Sequence, residues 1–151
     1  MQPEFSQHIQ QLSEKLEEEI PANMIWMRFK SYYLDSITPF EFISFKAKEL
    51  ETQLIEAQLE LIFNKQPHTL FGKGNGPIDA TKAALNSLIK NFKVCNYVTH
   101  SRKQGSKSEA VAYIQLEINS KTCFGVGIDT NSTLSAIKAI FSALNILHQT
   151  N

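Results

Sequence analysis

One short signature occurs twice in this chain, and no other feature restricts the possible folds so strongly. Thr69-Leu70-Phe71-Gly72-Lys73-Gly74 reads T-L-F-G-K-G, and Thr122-Cys123-Phe124-Gly125-Val126-Gly127 reads T-C-F-G-V-G. Each copy closes an extended segment and leads within a few residues into an apolar-periodic helix. A repeat of this kind is one supersecondary unit used twice. The two copies then diverge: the first continues as Asn75-Gly76-Pro77-Ile78-Asp79, the second as Ile128-Asp129-Thr130-Asn131.

The residues around the signatures supply the rest of the unit. Phe40 and Phe42 alternate with Glu41 as a first strand. Ile55, Ala57, Leu59, Leu61 and Phe63 form a period-two stripe, with Glu56, Gln58 and Glu60 between them. That is a strand with one buried and one wet face, as in an antiparallel sheet. Asn64-Lys65-Gln66-Pro67 is expected to turn, residues 68–72 to return as a third strand, and a helix to start near Pro77. Ala80, Ala84, Leu85, Leu88 and Phe92 mark its inner side. The order then recurs: a strand over 94–102, a turn at Gly105-Ser106-Lys107-Ser108, and a stripe of Ala110, Ala112, Ile114, Leu116 and Ile118. A tight turn at Asn119-Ser120, a strand over 122–129 and a helix over 133–147 complete the second unit.

The pattern predicts an α+β fold of two pseudo-symmetric βββα units, 37–92 and 93–151, that share one core. Each three-stranded sheet has to cover its apolar face with a helix. Two helices precede them in a linker subdomain, residues 1–36. Phe5, Ile9, Leu12 and Leu16 line the first. Pro21 opens the second, whose stripe is Ile25, Phe29 and Tyr33. Met24, Trp26 and Met27 make that second helix apolar around much of its girth, so it needs partners on more than one side.

Composition narrows the function classes. Fifteen basic and fifteen acidic residues leave a net charge of zero, which argues against a nucleic-acid or anionic-membrane surface. No apolar run approaches the roughly 20 residues of a membrane span. Gln2, Glu4 and Gln7 interrupt any signal-peptide layout at once. Two cysteines, Cys95 and Cys123, are too few for a disulfide framework and read as buried thiols in a reducing compartment, hence a cytoplasmic location.

Catalytic chemistry finds no foothold. His8, His68, His100 and His148 never fall at ligand spacing, so no metal site is expected. No Gly-x-Ser-x-Gly elbow is present, and 72–76 lacks the end of a phosphate loop. Neither catalytic residues nor a cofactor are expected in this chain. The turn after the first signature invites a different reading. Three glycines in five residues permit positive φ and expose amides, and Pro77 starts a helix whose first N–H groups favour a small anion. Gly74, Asn75, Gly76, Pro77, Ile78 and Asp79 are therefore candidates for holding a ligand. Amides would take a carboxylate, Asn75 or Asp79 an ammonium, and Ile78 with Ala110 and Ala112 an aliphatic side chain. A strained strand-to-helix turn with a capped helix explains the same residues. Tyr97 and His100 are likewise open between packing and ligand contact.

Gly72-Lys73-Gly74-Asn75-Gly76-Pro77-Ile78-Asp79-Ala80 resembles the G-x-G-N-G-P-[IV]-D-A signature of the C-terminal regulatory domain of 2-isopropylmalate synthases. Phe124-Gly125-Val126-Gly127-Ile128-Asp129, with the helix through Ser135-Ala136 and Ala143-Leu144-Asn145, resembles that domain's closing strand and helix. Gln2-Pro3-Glu4-Phe5-Ser6-Gln7 and Ile25-Trp26-Met27-Arg28-Phe29 are similar to the linker that joins it to the catalytic barrel. The resemblance covers nearly the whole chain. It implies a dimer of paired βββα units that binds leucine, or a related branched-chain amino acid, near the glycine turn as feedback inhibitor. Tyr97, His100, Ala110 and Ala112 join the turn residues as implied effector contacts. The divalent metal and acetyl-CoA of the family belong to the barrel, a partner outside this chain. His100 matches the family pattern, but residues 101–109 are bulkier and more basic than it.

Three other readings stay in play. A citramalate synthase-like domain would sense isoleucine, and a structural dimerisation module would bind nothing. A double-stranded-RNA-binding module shares the order helix, three strands, helix. Its phosphate-gripping lysines would stand where Pro77, Ile78 and Asp79 are found.

Overall fold

Four two-residue turns fold the alternating segments into two antiparallel meanders. The structure, a computed structural model, describes residues 7, 9–11, 14 and 30–149. After a π-helical turn, Lys30–Leu34, come β1 (Phe40–Glu51), β2 (Leu54–Phe63), β3 (Gln66–Gly74) and α1 (Pro77–Leu85). Then follow β4 (Phe92–Gln104), β5 (Lys107–Ile118), β6 (Lys121–Asp129) and α2 (Ser132–Gln149). The strands form two sheets, β1-β2-β3 and β4-β5-β6. The chain therefore has the expected α+β architecture of two βββα units.

The tight hairpins have a local cause. Asn64 and Lys65 sit at φ 51° and 68°, and Asn119 and Ser120 at 51° and 69°. Two consecutive positive φ values give the turn a twist that matches the right-handed twist of its strands. The β2–β3 hairpin thus turns more tightly than expected, and Pro67 lies within β3, opposite Ile62. An edge strand tolerates its missing N–H. The β4–β5 hairpin turns at Gly105-Ser106, between paired Gln104 and Lys107, so Lys107 and Ser108 belong to β5. α1 also ends sooner than expected, at Leu85. Phe92, placed on the helix by periodicity, opens β4 instead and still reaches the core, 3% exposed.

Of the two leading helices, the first falls where only Gln7, Ile9, Gln10, Gln11 and Glu14 are described, all of them helical. The second, with Ile25 and Phe29, lies outside the described residues as far as Lys30.

Glycine pairs explain how helix meets sheet. α1 lies on β3 and β2, and α2 lies on β6 and β5 while reaching across to β1. A Cβ on Gly72 would stand 2.2 Å from the amide nitrogen of Ala84, and one on Gly127 would stand 2.1 Å from the carbonyl oxygen of Ser135. Gly74 and Gly125 are similarly close to Ala80 and Ala139. Both signatures therefore do the same physical work. They clear a strip of strand on which a helix backbone rests, with Ala80 and Ala84 or Ala139 and Ala143 as the matching small residues.

The two units share one core. Leu59, Leu61 and Leu85 from the first meet Ile114, Leu116, Ile137 and Ile140 from the second. Each is at most 1% exposed, and such burial stabilises by about 1.5–3 kcal/mol per side chain. The second sheet is covered twice. Ala112, Ile114 and Leu116 face that core, while Val111 and Tyr113 pack with Ile9, Tyr33 and Leu34 on the other side. Every residue from 111 to 116 is consequently buried. The first sheet lacks such an outer layer among the described residues, and Phe71 is 60% exposed on it.

Two polar side chains of α2 tie the segment before β1 to the second unit. Asn145, fully buried, accepts a hydrogen bond from the Phe40 amide at 2.9 Å. It donates to the carbonyls of Phe40 at 2.8 Å and Ser36 at 3.0 Å. The Ser142 hydroxyl donates to the Tyr33 carbonyl at 2.6 Å and accepts from the Val126 amide at 3.1 Å. By contrast, the Thr81 hydroxyl on α1 is the one buried side-chain polar atom among the described residues without a partner. Leaving a buried hydroxyl unpaired costs about 1–3 kcal/mol. Thr81→Val, equal in shape, is expected to raise stability by about 1 kcal/mol in urea unfolding. A loss of stability would mean that the hydroxyl finds a partner in solution.

Candidate functional site

The turn from β3 into α1 is built from extended backbone. Gly76 is the N-cap residue at φ −157° and ψ −178°, and its side is open, with nothing within 4 Å of the point where a Cβ would stand. Positive φ, the expected reason for three glycines here, does not occur; among the described glycines only Gly105 adopts it, at 65°. Gly72 and Gly74 are glycines because α1 rests on them. Of the three, Gly76 alone is free of packing.

The helix start is unusually bare. Pro77 brings no N–H, and the Ala80 amide donates to the Gly76 carbonyl at 2.9 Å. The amides of Ile78 and Asp79 have no carbonyl a full turn behind them, and Gly76 supplies no side-chain cap. Asp79 lies in the first turn, where the helix dipole favours a carboxylate. Ile78 is half-buried against the shared core.

The matching turn of the second unit is finished. The Asn131 side chain accepts from the Leu134 amide at 3.0 Å, and Asp129 accepts from the Asn131 amide at 2.8 Å. Asp129 also holds Lys138 at 2.7 Å. Burial pushes the Asp129 carboxyl up, but the hydrogen bond from Lys138, the Asn131 amide and the charge of Lys138 together bring it below its ordinary range. The second helix start therefore carries its own anion and cap, whereas no side chain caps the first.

The remaining candidates lie on the other sheet. Tyr97, Thr99 and Ser101 face the same side of β4, opposite Ile114, Ala112 and Ala110 of β5. Tyr97 is 40% exposed, and the Thr99 hydroxyl donates to its own. His100 lies on the opposite face, with its ring edge-on to Tyr113 at 5.6 Å. Ala110 is half-buried, and Ala112 is fully buried opposite Gly127. Tyr97 and Ala110 thus share a face, His100 does not, and residues 74–79 stand apart at the end of the first sheet.

Sequence reasoning passed over Ser142 and Asn145 as a polar clasp, since a Ser and an Asn in a helix give no sign of a partner a hundred residues away. It also passed over a cavity of about 460 Å³ between the Tyr33–Phe42 stretch and β6 with α2, with Arg102 and Glu109 in its wall. The only hint was the basic character of residues 101–109. Among the described residues no three His, Cys, Asp or Glu side chains converge as metal ligands, and no helix is long and apolar enough to cross a membrane.

Comparison with known proteins adds a family. The family model described as the LeuA allosteric (dimerisation) domain matches residues 19–148. The 2-isopropylmalate synthase of Corynebacterium efficiens is 34% identical over 147 residues, which are 96% of this chain and 25% of that protein. Those of Clostridium acetobutylicum and Pseudomonas fluorescens strain Pf0-1 are 34% and 36% identical, again over 96% of this chain and 27% and 26% of their own lengths. The chain spans about a quarter of the length of these curated relatives.

Proposed function

Because the chain belongs to the family of LeuA allosteric (dimerisation) domains, we propose that it is the leucine-binding regulatory and dimerisation part of a 2-isopropylmalate synthase, and that it conveys feedback inhibition to a catalytic barrel. The observation that carries the ligand site is the difference between two matched turns. One helix start is closed by Asn131 and Asp129, while the other, at Gly76, has an open side and uncapped amides. The leucine carboxylate would bind the amides around Ile78 and Asp79, and its ammonium would bind Asn75 or Asp79. Its side chain would lie against apolar surface such as Ile78 or the Tyr97–Ala110 face of another sheet. Residues 74–79 and Tyr97 lie on different sheets, and the exposed Tyr97 on β4 suits a second copy that brings such surfaces together. Feedback needs only that leucine prefer one arrangement of the dimer, by about 1–3 kcal/mol.

Calorimetry with leucine tests this reading. Gly76→Val places its Cβ in open space on that side, so it should weaken binding by about tenfold or more while the fold survives. Asp79→Ala should do the same. Native mass should show a dimer. If millimolar leucine, isoleucine and valine give neither heat nor a melting shift in the wild-type chain, the domain is a dimerisation module without a ligand. A preference for isoleucine would identify a citramalate synthase-like sensor instead.

A further inference from the structure

The cavity beside β6 shares no wall with the site proposed above: none of residues 74–79, Tyr97, His100, Ala110 or Ala112 lines it. At about 460 Å³ it falls within the range that holds small metabolites, roughly 300–1,000 Å³. Charges of both signs face it. Arg102 and Lys138 are its cations, Glu41 and Glu109 its anions, and Phe42 and Phe141 belong to its apolar part. All four charged residues are half-buried, where attraction is stronger than in open water.

Lys138 holds Asp129 at 2.7 Å, and Arg102 stands opposite Glu109 across the β4–β5 ladder. An ammonium has three donors and a guanidinium five, so each can serve more than one acceptor. A simple anion would meet Glu41 and Glu109 as well as the two bases, and a simple cation would meet the bases as well as the acids. A zwitterion satisfies both sets at once. Arg102 and Glu109 also fall in the 101–109 run, where this sequence departs from the pattern it resembles.

We propose that this cavity is a second small-molecule site, one that takes a free α-amino acid with an apolar side chain. Arg102 and Lys138 receive the carboxylate, Glu41 receives the ammonium, and Phe42 and Phe141 receive the side chain. The site adjoins the clasp between α2 and the start of the domain, since Tyr33 and Ser142 both line it. Its occupant therefore bears on the position of the segment that leads in from the linker.

Amide chemical shifts of the whole ¹⁵N-labelled chain, titrated with leucine and separately with phenylalanine, test the proposal. With Asp79→Ala, saturable shifts should persist at residues 34–42 and 126–128. Arg102→Gln should weaken them by about tenfold, and leave any shifts at residues 75–79 as they were. Lys138→Met provides the same test should Arg102→Gln fail to fold. No shifts around the cavity with either amino acid at millimolar concentration, or shifts indifferent to both substitutions, overturn the proposal and leave the turn site standing. Shifts at the cavity with none at residues 75–79 uphold it and remove the turn from the regulatory reading instead.

Discussion

Gly127→Ala is expected to cost at least about 3 kcal/mol in urea unfolding, or to prevent folding altogether. The added Cβ would lie 2.1 Å from the Ser135 carbonyl oxygen, 2.5 Å from the Ala139 amide nitrogen and 2.9 Å from the Lys138 Cβ. Real Cβ atoms do not approach backbone so closely, and two of these three neighbours are main-chain atoms of α2. They cannot yield as the end of a side chain would. α2 is buried along most of its length between the second sheet, β1 and the segment before β1, so moving it disturbs every layer. Overpacking a core commonly costs about 1–3 kcal/mol, and a blocked backbone contact falls at the upper end or beyond. Against a typical total of roughly 5–15 kcal/mol, that is a large share. Gly72→Ala should behave alike in the first unit, where a Cβ meets Ala84 at 2.2 Å and Ala80 at 2.3 Å. Gly76→Ala is the control. It has open space and an extended backbone, so its effect should stay within about 0.5 kcal/mol. A Gly127→Ala protein within about 1 kcal/mol of wild type, on the order of an ordinary surface change, would mean that the strand and helix do not meet as described.

Asn145→Ala is the second substitution expected to be severe, at about 3–5 kcal/mol. It removes three hydrogen bonds at once. The greater part of the cost comes from what it leaves behind. The Phe40 amide and carbonyl belong to a residue only 4% exposed, and both lose their Asn145 partner. Phe40 also stacks on Phe63 at 4.6 Å and meets Phe141 edge-on at 6.4 Å, so loosening its backbone loosens the seam between the units. Ser142→Ala removes the neighbouring clasp, and the pair should be non-additive because both hold one segment. Equilibrium unfolding of the two single variants and the double variant measures that coupling. Hydrogen exchange should show lost protection at residues 36–40 in Asn145→Ala. Unchanged stability with unchanged protection would show that the clasp is dispensable.

Local chemistry makes much of the fold legible. Period two at residues 55–63 and 110–118, Asn-Lys and Asn-Ser turns, and period 3.6 beyond Pro77 and Ser132 each follow from contacts within a few residues. Phe92 shows where such reading stops. Its spacing suits the inner side of a helix, but the helix ends at Leu85 and the residue reaches the same core from a strand. Periodicity reports that a side chain is buried, and it reports less well which element carries it. The meaning of the glycines is hidden for a related reason. Gly72, Gly74 and Gly76 look alike in sequence, yet two are pressed against a helix and one faces open space. Only distances to residues elsewhere in the chain separate them.

The candidate site divides along the same line. That Pro77 begins a helix behind a glycine is a local fact. That the second turn is closed by Asn131 and Asp129 while the first is not depends on side-chain geometry. His100 and Tyr97, three apart on one strand, would share neither face nor role by simple alternation. A β-bulge between Val94 and Asn96 sets which of them faces the core, and it sets Tyr97 on the side that Ala110 shares.

By itself, then, the sequence determined a doubled βββα unit and its family, because these rest on short-range periodicity and on a repeated motif. The tertiary structure alone decided that both T-x-F-G-x-G copies are helix rests. It also decided that Asn145 and Ser142 clasp the segment before β1, and that Arg102, Lys138 and Glu41 gather around one cavity. Each of these joins groups distant in the chain, and such meetings are set by how layers pack rather than by any local preference of the chain.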